Sequence, residues 1–220
     1  MIVSRARNYV FVHIPKTGGT SLALALEGRA AKDDILIGDT PKARRRRKRQ
    51  QGLKAAGRLW KHASLAEIDG LVAPEELAGM FVFTIVRNPW DRMVSYYRWL
   101  REQEFDHPAV GLAARLDFSA FLAHPLIAES FRAAPCKSHV TDASGVERCD
   151  LYLRFEDMAP GLALVEERLG LRLGPLPHVN RSKRLRDWRR YYSDADAARL
   201  AEICARDIAD FGYGFDDFAR

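Results

Sequence analysis

Tyr9-Val10-Phe11-Val12-His13-Ile14-Pro15-Lys16-Thr17-Gly18-Gly19-Thr20-Ser21-Leu22 decides the fold. Val10, Phe11, Val12 and Ile14 suit a buried strand, and Leu22-Ala-Leu-Ala-Leu26 is built from strong helix formers. Between them lies a Gly-Gly turn carrying one lysine and flanked by hydroxyls. Gly18 and Gly19 permit positive φ and a close backbone approach, so amides at the helix start can face an anion while the helix dipole adds partial positive charge. Lys16 supplies a full charge on a mobile stem. The order of residues narrows the chemistry. A Walker-type triphosphate loop places its lysine after the glycines, whereas Lys16 precedes them, and the dinucleotide pattern G-x-G-x-x-G is missing. A lone Gly-Gly reads as a tight turn beside a solvent lysine; the whole run Pro15-Lys-Thr-Gly-Gly-Thr-Ser21 is far more specific.

A second strand-to-helix junction lies at Phe81-Val-Phe-Thr-Ile-Val-Arg87-Asn88-Pro89-Trp90-Asp91-Arg92-Met-Val-Ser95. The apolar, β-favouring run ends at Arg87. Asn88 is a candidate N-cap, Pro89 suits the first helical position, and Asp91 puts negative charge into the first turn. Ser95 stands about two turns into that helix, so Arg87 and Ser95 can converge on one anion only where the loop folds back toward the helix. The plainer reading pairs Arg87 with an acid and leaves Ser95 as an ordinary polar helix residue.

Elsewhere strands and helices alternate, the pattern of a parallel sheet covered on both faces. Ser64-Leu-Ala-Glu67 fits a capping box opening a short helix, and Pro74-Glu-Glu-Leu77 starts another. Asp117 to Leu122 reads as a helix, Asp142 to Gly145 as a turn, and Asp150 to Phe155 as a late strand. Ser193 or Asp194 caps a long helix running to about Phe211, with Gly212 to end it. Trp90, Trp99, Phe118 and Phe121 read as core or pocket wall. The 220 residues, 47% of them hydrophobic, suffice for one α/β domain with a sizeable core and argue against disorder. The expectation is a single domain over 1–220 with a basic insertion near 38–58. No run of about 18 apolar residues is present, and the N-terminus lacks the order of a secretion signal. Cys136, Cys149 and Cys204 are odd in number and lack metal-type spacing, which favours reduced thiols.

The net charge of +6 suits a polyanionic ligand, yet much of it comes from Lys42-Ala-Arg44-Arg45-Arg46-Arg47-Lys48-Arg49. Such a run reads first as a solvated, mobile segment. Its functional readings are contact with an anionic lipid surface, guidance of an acidic glycan, or contact with nucleic acid, the last being the least favoured.

The two junctions together resemble the sulfotransferases that use 3′-phosphoadenosine-5′-phosphosulfate (PAPS), particularly the branch related to carbohydrate sulfotransferases. Looser likeness continues through Leu151 to Asp157, Asn180 to Lys183 and Asp207 to Tyr213. The resemblance implies an α/β fold like that of the P-loop NTPases, with a central parallel sheet flanked by helices on both faces. It implies that Lys16, Thr17, Gly18, Gly19, Thr20 and Ser21 grip the 5′-phosphosulfate and that Arg87 and Ser95 bind the 3′-phosphate. Arg181, Ser182 and Lys183 match a late basic loop closing over the nucleotide, although the Arg-Lys-Gly of the small-molecule enzymes is absent. Sulfuryl transfer needs a base near the acceptor hydroxyl, for which histidine is the first candidate. His62 is the choice because it precedes the Ser64 box and relatives often carry a histidine there; Glu156 is the reserve. The expected activity is transfer from PAPS, leaving 3′-phosphoadenosine-5′-phosphate (PAP), to a hydroxyl of a carbohydrate or glycolipid. Lys16 and His62 are the catalytic candidates, and no metal is expected. The resemblance further suggests a cytoplasmic, bacterial protein, peripheral at the inner membrane surface if the basic run meets lipid. The alternatives are a P-loop nucleotide kinase, disfavoured by the displaced lysine and the absence of an assignable Mg²⁺ carboxylate, and a non-catalytic nucleotide- or nucleic-acid-binding protein.

Overall fold

The computed structural model describes residues 1–177, 179, 185 and 187–217. In chain order the elements are β1 (Ile2–Ser4), β2 (Tyr9–Val12), α1 (Gly19–Gly28), β3 (Ile35–Leu36), α2 (Pro41–Gln50), α3 (Pro74–Gly79), β4 (Phe81–Val86), α4 (Pro89–Leu100), α5 (Pro108–Arg115), α6 (Phe118–Ala123), α7 (Pro125–Ala133), β5 (Leu151–Arg154), α8 (Met158–Leu169), α9 (Asp194–Ile203) and α10 (Ala205–Phe211). They form two compact units, one of Met1–Val86 with Cys136–Val179, the other of Arg87–Pro135 with the described residues from 185 onward.

The first unit holds a five-stranded sheet in the order β3-β1-β2-β4-β5. β2, β4 and β5 are parallel, with Val12 opposite Thr84 and Val86 opposite Arg154. The expected parallel arrangement is therefore confined to β2, β4 and β5. β1 and β3 extend it with antiparallel pairs and make the whole sheet mixed. β1 reverses into β2 through a tight turn with Asn8 at φ 53°, and its three residues are too short to show a period in sequence. Side chains alternate as a doubly covered sheet requires. Tyr9, Phe11, Phe83, Ile85 and Leu153 pack with Leu22 and Leu26 of α1 and Val165 of α8. Val10, Val12 and Val82 face the other way, toward Ala63, Leu65, Ile68 and Leu77. Fully burying an aliphatic or phenyl side chain contributes about 1.5–3 kcal/mol, so these two layers hold the strand ends in place.

The basic run corrects an expectation. Residues 41–50 form α2 rather than a mobile segment. Thr40 caps it, its Oγ1 accepting from the Ala43 amide, and Pro41 occupies the first position. Arginine and lysine are good helix formers, so charge density alone does not forbid a helix once a cap is present. The helix is also tied down. The Arg46 guanidinium donates to the Asp34 carbonyl at 2.7 Å, Arg49 to the Lys32 carbonyl at 3.0 Å, and the Lys42 ammonium to the Glu27 carbonyl. Arg44, Arg45, Arg47, Lys48 and Arg49 remain exposed.

The Ser64 box forms as expected, with the Ser64 amide donating to Glu67 at 2.8 Å and the Glu67 amide to Ser64 Oγ at 3.2 Å. It opens a turn and not a helix, because the chain breaks at Gly70 (φ 81°) into an isolated bridge between Asp69 and Val72.

In the second unit Asn88 caps α4 by accepting from the Trp90 amide, and its Nδ2 donates to the Gly214 carbonyl at 2.9 Å. Trp90 donates from its indole to the Ala197 carbonyl, and the Tyr192 hydroxyl donates to the Trp90 carbonyl. Trp90, Phe118 and Phe121 are core, as expected. The single long C-terminal helix is in fact two, α9 and α10, broken at Cys204; Ser193 and Asp196 form a capping box at the start and Gly212 ends the pair in the left-handed region. All three cysteines are free thiols. Among the described residues no helix is long and apolar enough to cross a membrane.

Candidate functional site

The loop after β2 is held in an unusual backbone shape. Lys16 has φ 65° and Gly18 φ 84°. A side-chain-bearing residue in that region costs about 1–2 kcal/mol, so surrounding contacts must enforce the turn at Lys16. One such contact is the buried Thr17, whose hydroxyl donates to the Ile14 carbonyl at 2.9 Å. That hydroxyl serves the turn. Gly18 is the N-cap of α1, with no side chain capping the helix and no acid in its first turn. The partial positive charge at this helix start is therefore not neutralised locally.

Both glycines are required by close approach. A Cβ on Gly18 would lie 2.5 Å from the Phe155 ring, and one on Gly19 would lie 2.3 Å from Cδ2 of His13. His13 follows the last residue of β2 and is buried. His62 Nδ1 stands 2.7 Å from the His13 carbonyl oxygen, and the two imidazoles are 4.8 Å apart. A carbonyl can only accept, so in the neutral ring Nδ1 carries the proton and Nε2 the lone pair. Burial pushes the His62 pKa down to about 3, partly opposed by the carbonyl contact and reinforced by Lys61. His13 is likewise pushed well below the usual histidine range, first by burial and then by His62. The first unit thus brings His62 to the phosphate-type loop through one intervening ring, His13, which sequence patterning treated only as a strand residue.

In the second unit Arg87 and Ser95 are both buried. The Arg87 Nε and Nη2 donate to Asp91 Oδ2 at 2.8 and 2.6 Å. Asp91 and Ser95 are four residues apart on one face of α4, and Arg87 precedes its N-cap, Asn88. The guanidinium thus meets an acid in the first turn of α4, the pairing that the plainer reading of the sequence described. Sequence reading credited Asp91 only with a dipole effect; the structure makes it the carboxylate that Arg87 grips, and the i,i+4 spacing was its signal. Thr20 and Ser21 lie in the first turn of α1, half-buried. Glu156 follows Phe155 and is half-buried. Arg181, Ser182 and Lys183 lie outside the described residues.

A strand, a glycine turn and a helix on a sheet with parallel β2, β4 and β5 define a P-loop-like α/β protein. The model of the sulfotransferase family matches residues 1–214, and the chain belongs to that family. Among solved structures it is similar to a mouse sulfotransferase, SULT7A1, whose structure is complexed with PAP. The TM-score is 0.56 at 17% identity, covering 95% of this chain and 87% of that one. No curated protein matches the chain.

Proposed function

We propose that this protein transfers a sulfuryl group from PAPS to a hydroxyl of a carbohydrate or glycolipid. The observation that carries the reading is the loop after β2: a strained lysine, two glycines without room for side chains, and a helix start free of acids and side-chain caps. These features fit a phosphosulfate, since they offer amides, a dipole and a full positive charge to one polyanion. Bound there, the donor supplies an activated sulfuryl group and a phosphate leaving group. Lys16 neutralises the charge that grows on the leaving phosphate oxygen, and Thr20 and Ser21 add hydroxyl donors. Arg87, oriented by Asp91, and Ser95 take the 3′-phosphate, for which a guanidinium fork is well shaped.

His62 takes the proton of the acceptor hydroxyl at Nε2. Its depressed pKa keeps it neutral in the free protein, and the negative charge of a bound nucleotide raises it back toward the range where a base is effective. The test is incubation with PAPS carrying radiolabelled sulfur and a panel of glycans, glycolipids and phenols. Label should move to a hydroxyl-bearing saccharide and stop with Lys16→Ala. Transfer of a phosphoryl group from ATP, with no sulfuryl transfer to any acceptor, would overturn the reading.

A further inference from the structure

Residues 40–66 contain ten of the 35 lysines and arginines and none of the 29 acids, so the remaining 25 cations face 29 acids. The formal charge of +6 therefore originates in this one stretch, on a chain that is otherwise slightly acidic. The fold fixes how that charge is presented. Ala43 and Arg46 are the buried residues of α2. At about 100° per residue, Arg44, Arg45 and Lys48 share the opposite face and form an exposed ridge along a helix about 15 Å long. Among the described residues the one acid ion-paired to α2 is Asp39, 3.7 Å from Arg47 at the margin of the ridge. The buried Arg46 guanidinium, donating to the Asp34 carbonyl, holds the helix from behind, so the ridge is formed before any partner arrives.

From this distribution of charge we propose that the outward face of α2 is a docking surface for an anionic phospholipid bilayer. The ridge carries no apolar side chain, so the helix rests on the headgroups by charge and does not insert. Three features favour a bilayer over nucleic acid. Single strands bind by stacking on aromatic rings, and residues 38–59 contain none. A helix that reads a duplex enters its groove, whereas the start of α2 is tied to α1 by Thr40 on the Glu27 carboxylate and Lys42 on the Glu27 carbonyl, which leaves only the outward side free. A planar surface needs only that side. Each cation near an anionic bilayer raises partitioning about fivefold, so the three ridge residues together supply about 100-fold. The acidic balance of the rest of the chain turns α2 toward the lipid on approach. Docking stands without the sulfotransferase reading; its consequence, that the acceptor is a glycolipid of the same bilayer, rests on that reading. Asp39 links the two, since it also pairs with Lys61, the neighbour of His62, at 3.4 Å.

Sedimentation of the full chain with vesicles tests this, using phosphatidylcholine alone and phosphatidylcholine with phosphatidylglycerol as about a third of the lipid. The chain should partition onto the anionic vesicles about 100-fold better than onto the neutral ones. Raising the salt from about 0.1 M to about 1 M, which shortens the Debye length from about 10 Å to about 3 Å, should release it. Arg44→Gln/Arg45→Gln/Lys48→Gln should erase the preference, whereas Arg115→Gln/Arg168→Gln/Arg206→Gln, which removes the same charge from exposed sites elsewhere, should keep it. Arg44→Lys/Arg45→Lys should dock like the parent and guards against misfolding as the cause. Free glycerol phosphate should not compete. Equal partitioning of the parent onto both vesicles, an undiminished preference in the ridge variant, or tighter binding of a short RNA duplex than of the anionic vesicles at equal phosphate concentration overturns the proposal. Radiolabelled transfer from PAPS to a neutral glycolipid embedded in each vesicle should run about tenfold faster on the anionic ones. Equal transfer rates with docking intact overturn the glycolipid consequence, and absence of all transfer with docking intact counts against the sulfotransferase reading alone.

Discussion

Gly19→Ala isolates the contact that joins the loop to the histidine pair. Gly19 opens α1, where alanine in place of glycine gains about 0.5–1 kcal/mol of helix propensity. Against that, the new Cβ would lie 2.3 Å from His13 Cδ2 and 2.8 Å from its Nε2, and His13 is buried with only 7% of its surface exposed. The ring cannot swing into solvent, and overpacking of this kind costs about 1–3 kcal/mol. At the midpoints of these ranges the clash wins by about 1 kcal/mol. In a chain of this size each kcal/mol lowers Tm by about 2–4 °C. Gly28→Ala is the control, since its Cβ meets nothing within 4 Å, and it should be neutral or slightly stabilising. Urea unfolding of parent, Gly19→Ala, His13→Ala and the double variant forms a thermodynamic cycle. Removing the imidazole should relieve the clash, so the double variant should be more stable than additivity predicts by about 1–3 kcal/mol. Displacement of His13 also moves the carbonyl that fixes His62, so sulfuryl transfer by Gly19→Ala should fall by about 100-fold, the scale of a small misplacement. Gly19→Ala as stable as the parent, with no coupling to His13→Ala, would refute this reasoning.

Asp91→Ala leaves the buried Arg87 guanidinium without the carboxylate that it grips through two donors, and should cost about 3–5 kcal/mol in urea unfolding; a change below 1 kcal/mol would show the pair to be dispensable. His62 is neutral in the fold with a pKa lowered to about 3, against 6.5 in an unfolded chain. Its contribution to stability is therefore complete above pH 6.5 and declines as the pH falls toward 3, by at most about 1.4 kcal/mol per pH unit. His62→Asn should reduce the pH dependence of stability between pH 6.5 and 5, His13 supplying the remainder, and two-dimensional nitrogen NMR at pH 7 should find His62 protonated on Nδ1; a His62 that titrates near 6.5 in the free protein contradicts its placement. Thr40→Ala removes the α2 cap and should cost about 0.5–2 kcal/mol with little change in PAP affinity, read by denaturation and calorimetry.

The strand-loop-helix logic around Lys16 and Arg87 was legible because it is local. Apolar runs, glycines and caps lie within a few residues of one another, and β2, α1, β4 and α4 follow. Long-range relations were not. His13 opposes Gly19 and His62 only after the chain has folded, so no period in the sequence could mark its ring as the spacer between them. α2 was misread because eight mostly cationic residues look solvated, whereas Thr40, Pro41 and the carbonyls of Lys32 and Asp34 supply the cap and anchors. The Ser64 box was recognised correctly as hydrogen bonding, but a capping box satisfies only the first amides and cannot carry the helix past Gly70. The antiparallel β1 and β3 escaped notice or weight through brevity, the one having three residues and the other two.

Calorimetric titration of the purified chain with PAP, alongside ATP with Mg²⁺, tests the central claim most directly. The account predicts saturable PAP binding that is lost or reduced at least tenfold in Lys16→Ala and in Arg87→Ala, with ATP far weaker. Saturable ATP binding with no heat from PAP would contradict it.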